Sequence, residues 1–188
     1  MKTKKLLLCA LFAALTAVGI FVKIPVPGTM LIITLQTFFV FLAGLLLSPK
    51  YALVSQLVYM AIGLLGLPVF SKGGGLGYVL EPSFGFIIGF ALCAFLVSIL
   101  IRKKLAEKQS SLSVLKISVY ALISIAAMYI VGVAYMYAVL NLYVGTAVTL
   151  GYVIVTATGV FFFIDIAKFI LALLLGRAVL KRLPSYGE

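Results

Sequence analysis

A chain of 188 residues that is 65% hydrophobic and only 10% charged cannot cover a water-soluble fold, whose surface needs about a quarter of all residues as charges. A mean hydropathy of +1.31 makes lipid the main solvent, and at roughly 20 residues per span the length suits about six spans, with nothing left for a soluble enzyme module. The net charge is +11 and histidine is absent, which removes the commonest general base and most zinc chemistry.

The expected architecture is all-α: an integral membrane bundle of six transmembrane helices, one domain over residues 1–188. Residues 4–22 form the first span. It follows Lys2, Lys4 and Lys5 as a signal peptide would, but no small-x-small cleavage site follows, and it reads as a retained helix. On it, Ala10/Ala14 and Ala13/Ala17 are overlapping small-xxx-small pairs that let another helix approach closely, either inside the bundle or from an external partner. Pro25, Val26, Pro27 and Gly28 break the first connection, and residues 31–47 form the second span. Gln36, near its outer end, is either an interhelical hydrogen-bonder or a ligand contact. Met30, Phe38, Phe39 and Phe41 are assigned to the core or the lipid face rather than to a cofactor box.

Ser48 and Pro49 precede the third span, 51–68. The outer loop from Pro68 to Pro82 holds Gly73, Gly74, Gly75 and Gly77, which permit positive φ and close backbone approach. Its apolar residues Val69, Phe70, Tyr78 and Leu80 suit a lid over a small ligand better than a free connection. No Gly-Lys-Ser/Thr follows the glycines, so they do not form a phosphate-cradling P-loop. The fourth span is 83–101, the fifth 114–138 and the sixth 152–180; residues 139–151 are a connection or a short interfacial helix. Cys9 and Cys93 lie inside apolar runs as packing residues rather than as a disulfide or metal site.

With six spans, twelve cations share the side of the two termini: Lys2, Lys4, Lys5, Lys50, Arg102, Lys103, Lys104, Lys108, Lys116, Arg177, Lys181 and Arg182. Lys23 and Lys72 lie on the other side, and Lys168 lies within the last span. This asymmetry places both termini in the cytoplasm and explains the basic charge by the bilayer, without nucleic acid.

Four acids exist. Glu107 and Glu188 are expected to be solvated, and Glu81 closes the glycine-rich loop. Asp165 stands inside an apolar span with Lys168 three residues on, one helical face shared by both. Each intramembrane charge costs about 2.5–3.5 kcal/mol, so the pair should face the bundle interior. It either neutralises itself and fixes packing or lines a substrate site.

Gly63-Leu-Leu-Gly-Leu-Pro-Val-Phe70, followed by glycines and Glu81-Pro-Ser-Phe-Gly-Phe86, resembles the signature loop of the BioY family, the biotin-specific S-components of energy-coupling factor (ECF) transporters. Thr34-Leu-Gln-Thr37 with Leu42-Ala-Gly44 is similar to that family's second helix, and Asp165-Ile-Ala-Lys168 to its acid-x-x-lysine element. The chain departs from the family's usual Pro-Thr-Gly-Gly-Tyr at Pro82–Phe86, and from its Pro-Phe before the acid.

The resemblance implies an ECF S-component-like bundle that binds biotin from outside and docks on a transmembrane T-component driven by two ABC-type ATPases. Helix-one alanines Ala10, Ala13, Ala14 and Ala17 would contribute to docking. The candidate substrate contacts are Asp165, Lys168, Gln36, Phe70, Gly74, Tyr78, Glu81 and Ser83. Asp165 suits the ureido N–H groups of biotin, and Lys168 suits the ureido carbonyl or the valerate carboxylate. No metal or cofactor is expected, and biotin is cargo. The competing readings are a self-sufficient proton-coupled carrier with Asp165 as its proton site, and an S-component for another vitamin. An intramembrane enzyme is disfavoured, since no nucleophile–base pair is recognisable.

Overall fold

The computed structural model describes residues 2–26, 28, 31–102, 105 and 114–182. Met30, Lys103, Lys104, Lys108, Glu107 and Glu188 lie outside the described residues. Six main helices carry the described chain: α1 Lys2–Val18, α2 Gln36–Leu46, α3 Pro49–Leu64, α4 Phe84–Val97, α5 Val114–Ala138 and α6 Leu150–Arg182. Four of the helical stretches, Thr3–Phe21, Phe84–Arg102, Leu115–Val144 and Leu150–Arg182, are long and apolar enough to cross a bilayer unaided. The 11 residues of α2 and the 16 of α3 rise only about 17 and 24 Å, less than the roughly 30 Å hydrocarbon core.

The first connection holds a feature that hydropathy does not reveal. Strands β1 Lys23–Pro25 and β2 Ile32–Thr34 form an antiparallel hairpin, with Lys23 opposite Thr34 and Pro25 opposite Ile32. The β-branched run Ile32-Ile33-Thr34 favours extended backbone, so α2 opens at Gln36 rather than at Leu31. Beyond α5 the helix continues as a widened turn over Val139–Val144. Left-handed Gly145 then ends it, with its φ at +72°, so residues 139–151 are mainly an extension of span five and a short return.

Polarity is inverted relative to a soluble protein. Leu7, Ile130, Phe163 and Leu174 are 60–73% exposed, whereas Thr16, Ser55, Gln56 and Ser124 are fully buried. Helices α4 and α5 pack most intimately because glycines line their contact. A Cβ on Gly85 would stand 2.3 Å from Tyr135 Cβ, and one on Gly89 would stand 2.8 Å from the Met128 carbonyl. The inner end of α2 is closed by α4's continuation: Ser98 donates to the Leu47 carbonyl at 2.6 Å, and Arg102 Nε to that of Leu46 at 3.3 Å. These bonds satisfy carbonyls that a helix terminus leaves open.

Helix α6 bends at Gly159, where the backbone leaves helical geometry. Above the bend, Val153 and Ala157 pack with Val133, Met136 and Leu140 of the fifth span. Below it, Phe169 meets Phe41 edge-to-face at 5.3 Å, and Gly176 rests on Leu45 of α2. Phe41 is thus core, and Phe38 and Phe39 are half-buried. Both cysteines are buried; Cys93 is 0% exposed, and Cys9 points its thiol at the Tyr51 carbonyl.

The α1 alanines do not share one environment. Ala10 and Ala14 are exposed, Ala17 is half-buried, and Ala13 is 2% exposed within the core. The outward patch is therefore Ala10 and Ala14, while Ala13 serves internal packing, because its position on the helix turns it towards the bundle.

Candidate substrate-binding site

The outer half of the bundle holds a cavity of about 630 Å³, counting the open space of its mouth. Five parts of the chain wall it: β2 with the start of α2, the outer loop, α4, α5 and α6. Most of the surface is apolar, with Ile33, Phe86, Phe90, Met128 and Phe161 prominent, and the polar groups gather at three places.

The first is the intramembrane ion pair. Lys168 Nζ lies 3.1 Å from Asp165 Oδ1 and donates to Thr37 Oγ1 at 2.9 Å. Thr37 in turn donates to Asp165 Oδ1 at 2.7 Å, and the Tyr129 hydroxyl donates to Oδ2 at 2.8 Å. Two charges in lipid are thereby neutralised and hydrogen-bonded, the condition under which buried charge is tolerated. The side chains of both remain slightly exposed, at 14% for Lys168 and 8% for Asp165, and both stand in the cavity wall. An ammonium has three N–H donors, and two are used here, leaving one for a ligand.

Gln36 caps the neighbouring wall. Its Oε1 accepts from Thr34, and its Nε2 faces the Tyr59 hydroxyl at 2.6 Å, the Val69 carbonyl at 3.2 Å and the Thr16 carbonyl at 3.3 Å. One amide thus links the hairpin, α1, α3 and the outer loop.

The third polar group is a hydroxyl chain from the outer loop to the start of α4: Ser71 Oγ lies 2.7 Å from Tyr78 OH, which lies 3.1 Å from Ser83 Oγ. Local packing holds this loop in place. Phe70 inserts its ring over Gly63, where a Cβ would stand 2.1 Å from the ring, and the Gly75 N–H bonds the Gly63 carbonyl at 2.7 Å. Gly73 and Gly75 adopt φ of +126° and +102°, values that favour glycine. Phe70 stacks against Tyr78 at 4.6 Å and Tyr59 at 5.6 Å, and Tyr135 donates to the Val79 carbonyl.

Of the residues picked out in the sequence, Asp165, Lys168, Gln36, Tyr78 and Ser83 line the cavity. Phe70 is fully buried behind Tyr78, so it supports the wall without forming it. Gly74 packs its backbone against Leu67 and Gly63 away from the cavity. Glu81 pairs with Lys72 at 2.7 Å on the outer surface, where it neutralises the loop rather than lining the cavity. The sequence reading missed Thr34, Thr37, Ser71 and Tyr129. Thr34 and Thr37 flank Gln36 in a motif already singled out. Tyr129 carries only the general signal of a hydroxyl deep in a span, which needs a partner.

The model of the BioY family matches residues 1–185. The chain belongs to the BioY family. A probable biotin transporter BioY of Lysinibacillus sphaericus is 57% identical over 99 residues, 53% of this chain and 50% of that one. A biotin transporter BioY of Rhizobium etli is 34% identical over 188 residues, covering 98% of this chain and 97% of its own. The matched stretch spans about half the length of several curated relatives, the Lysinibacillus protein among them. A solved S-component for biotin from an ECF-type ABC transporter superposes with a TM-score of 0.81 at 27% identity, covering 96% of this chain and 92% of that one. The BioY architecture, six helices in a multi-pass membrane protein, is thus the fold of this chain.

Proposed function

We propose that this protein is the biotin-capturing S-component of an ECF-type vitamin uptake system, a transport subunit rather than an enzyme. The observation that carries the reading is an outward cavity, mostly apolar, whose polar end is an ion pair with one N–H and one acceptor position to spare. Three donors occupy Asp165, and a carboxylate offers about four lone-pair sites; the remaining one suits a ureido N–H of biotin. The third Lys168 N–H suits the ureido carbonyl or the valerate carboxylate, a charge-assisted bond in a dry site. The Ser71–Tyr78–Ser83 hydroxyls serve the ligand's opposite polar end, and Phe86, Phe90 and Phe161 cover its apolar middle. Family membership and the likeness to the solved biotin S-component support the same substrate.

The outer loop, 68–82, closes the cavity as a lid, and residues 1–188 act as one membrane domain. A T-component and two ABC-type ATPases supply the energy, with the open Ala10 and Ala14 face of α1 as a docking site for a partner helix.

The test is calorimetric titration of the purified chain with biotin, riboflavin and thiamine, repeated on Asp165→Asn. Biotin is expected to bind, and the other two to give no heat. Asp165→Asn is expected to weaken biotin binding at least tenfold, or about 1.4 kcal/mol. Tighter binding of riboflavin or thiamine rejects the substrate; an unchanged Asp165→Asn affinity rejects the role of the carboxylate.

A further inference from the structure

The bend at Gly159 has a second result, in the cytoplasmic half of the bundle. Above the bend α6 lies on the fifth span; below it α6 turns onto α2. A groove therefore opens between the lower halves of α5 and α6, about 980 Å³ counting its open side. Its walls are one stripe from each helix, including Ile117, Ala121 and Ile125 facing Ile166 and Leu173, and they are almost wholly apolar. From Ile166 to Arg177 the groove rises about 16 Å, close to the roughly 15 Å depth of one leaflet.

A cation stands at its inner end. Arg177 is half-buried in the groove wall, with Lys116 beginning α5 beside Ile117, and Lys181 and Arg182 ending α6. The acids among the described residues are Glu81 and Asp165, engaged with Lys72 and Lys168, and neither of the two ion pairs involves Arg177. The groove thus combines an acyl-length apolar channel with a positive charge that no acid among the described residues neutralises, and basic pockets between helices on the cytoplasmic side suit anionic headgroups.

We propose that this groove binds one anionic glycerophospholipid of the cytoplasmic leaflet, with an acyl chain between α5 and α6 and its phosphate on Arg177. Neutral lipids offer the same chain but no net charge for Arg177, and a soluble phosphate offers the charge but no chain. Binding therefore needs both parts. The site is separate from the outward cavity and does not depend on what that cavity holds.

Native mass spectrometry of the delipidated full chain, titrated with phosphatidylglycerol and with phosphatidylcholine of the same acyl chains, tests this. Phosphatidylglycerol adducts are expected at about tenfold lower lipid concentration. Arg177→Gln is expected to erase that preference and Arg177→Lys to keep part of it, with helicity and melting temperature checked by circular dichroism. Leu122→Trp, placing a ring over the groove, should weaken both lipids. Equal retention of the two lipids by the wild type, or an unchanged preference in Arg177→Gln, overturns the proposal. So does glycerol phosphate binding as tightly as the lipid, or a dimer appearing in place of the lipid adduct.

Discussion

Asp165 accepts from Thr37, Lys168 and Tyr129 on two oxygens, so groups of the protein itself hold its orientation. Thr37 is the hinge of this arrangement, because its single hydroxyl accepts from the ammonium while donating to the carboxylate. Thr37→Val keeps the shape and removes both bonds. Hydrogen bonds to charged groups contribute about 1.5–3 kcal/mol, so biotin affinity in this variant is expected to fall roughly ten- to a hundredfold, measured by calorimetry; wild-type affinity would mean that the ion pair orients itself. The charged members of this network are legible in the sequence, since an acid and a lysine inside an apolar span are costly and need a reason. Tyr129 is not, because a tyrosine in a span is commonplace; Thr37 stands in the motif singled out beside Gln36, but its role is hidden, because only the fold brings α2, α5 and α6 together around Asp165.

The elements divide the same way. Long apolar runs give α4, α5 and α6 close to their expected places. The shorter elements depend on contacts distant in sequence: the hairpin Lys23–Thr34 forms by pairing across a turn, and α3 stops at Leu64 because the chain folds back to set Phe70 over Gly63. The glycine-rich loop was readable as a close-packed cover from its apolar flanks, but which glycines are packed was not. Gly63→Ala drives a methyl into a ring that is held between Tyr59 and Tyr78 and cannot retreat. Overpacking of this kind costs about 1–3 kcal/mol, and a lowered melting temperature with loosened ligand binding is expected. Gly77→Ala meets no atom within 4 Å and is expected to melt within error of the wild type. Equal melting of the two variants would contradict the packing described for Phe70.

For the molecule as a whole, charge sidedness and hydropathy specify a six-helix membrane protein with cytoplasmic termini. The division of α1 into an inner and an outer alanine face needs the three-dimensional packing. Ala14 is exposed and Ala13 is core, so bulk at the two positions should act differently. Ala14→Trp is expected to abolish co-purification with the T-component and ATPases while biotin binding by the isolated chain stays unchanged. Assembly that survives Ala14→Trp would remove α1 from the docking surface. Ala13→Trp is expected instead to destabilise the subunit itself.

The two thiols of the chain, Cys9 and Cys93, are both shut inside the helices. A maleimide dye or spin label therefore finds no native anchor on the folded protein. One cysteine introduced at Leu76, 77% exposed on the outer loop, gives a spectroscopic reporter that tests whether that loop moves when biotin is added, without first engineering a cysteine-free background.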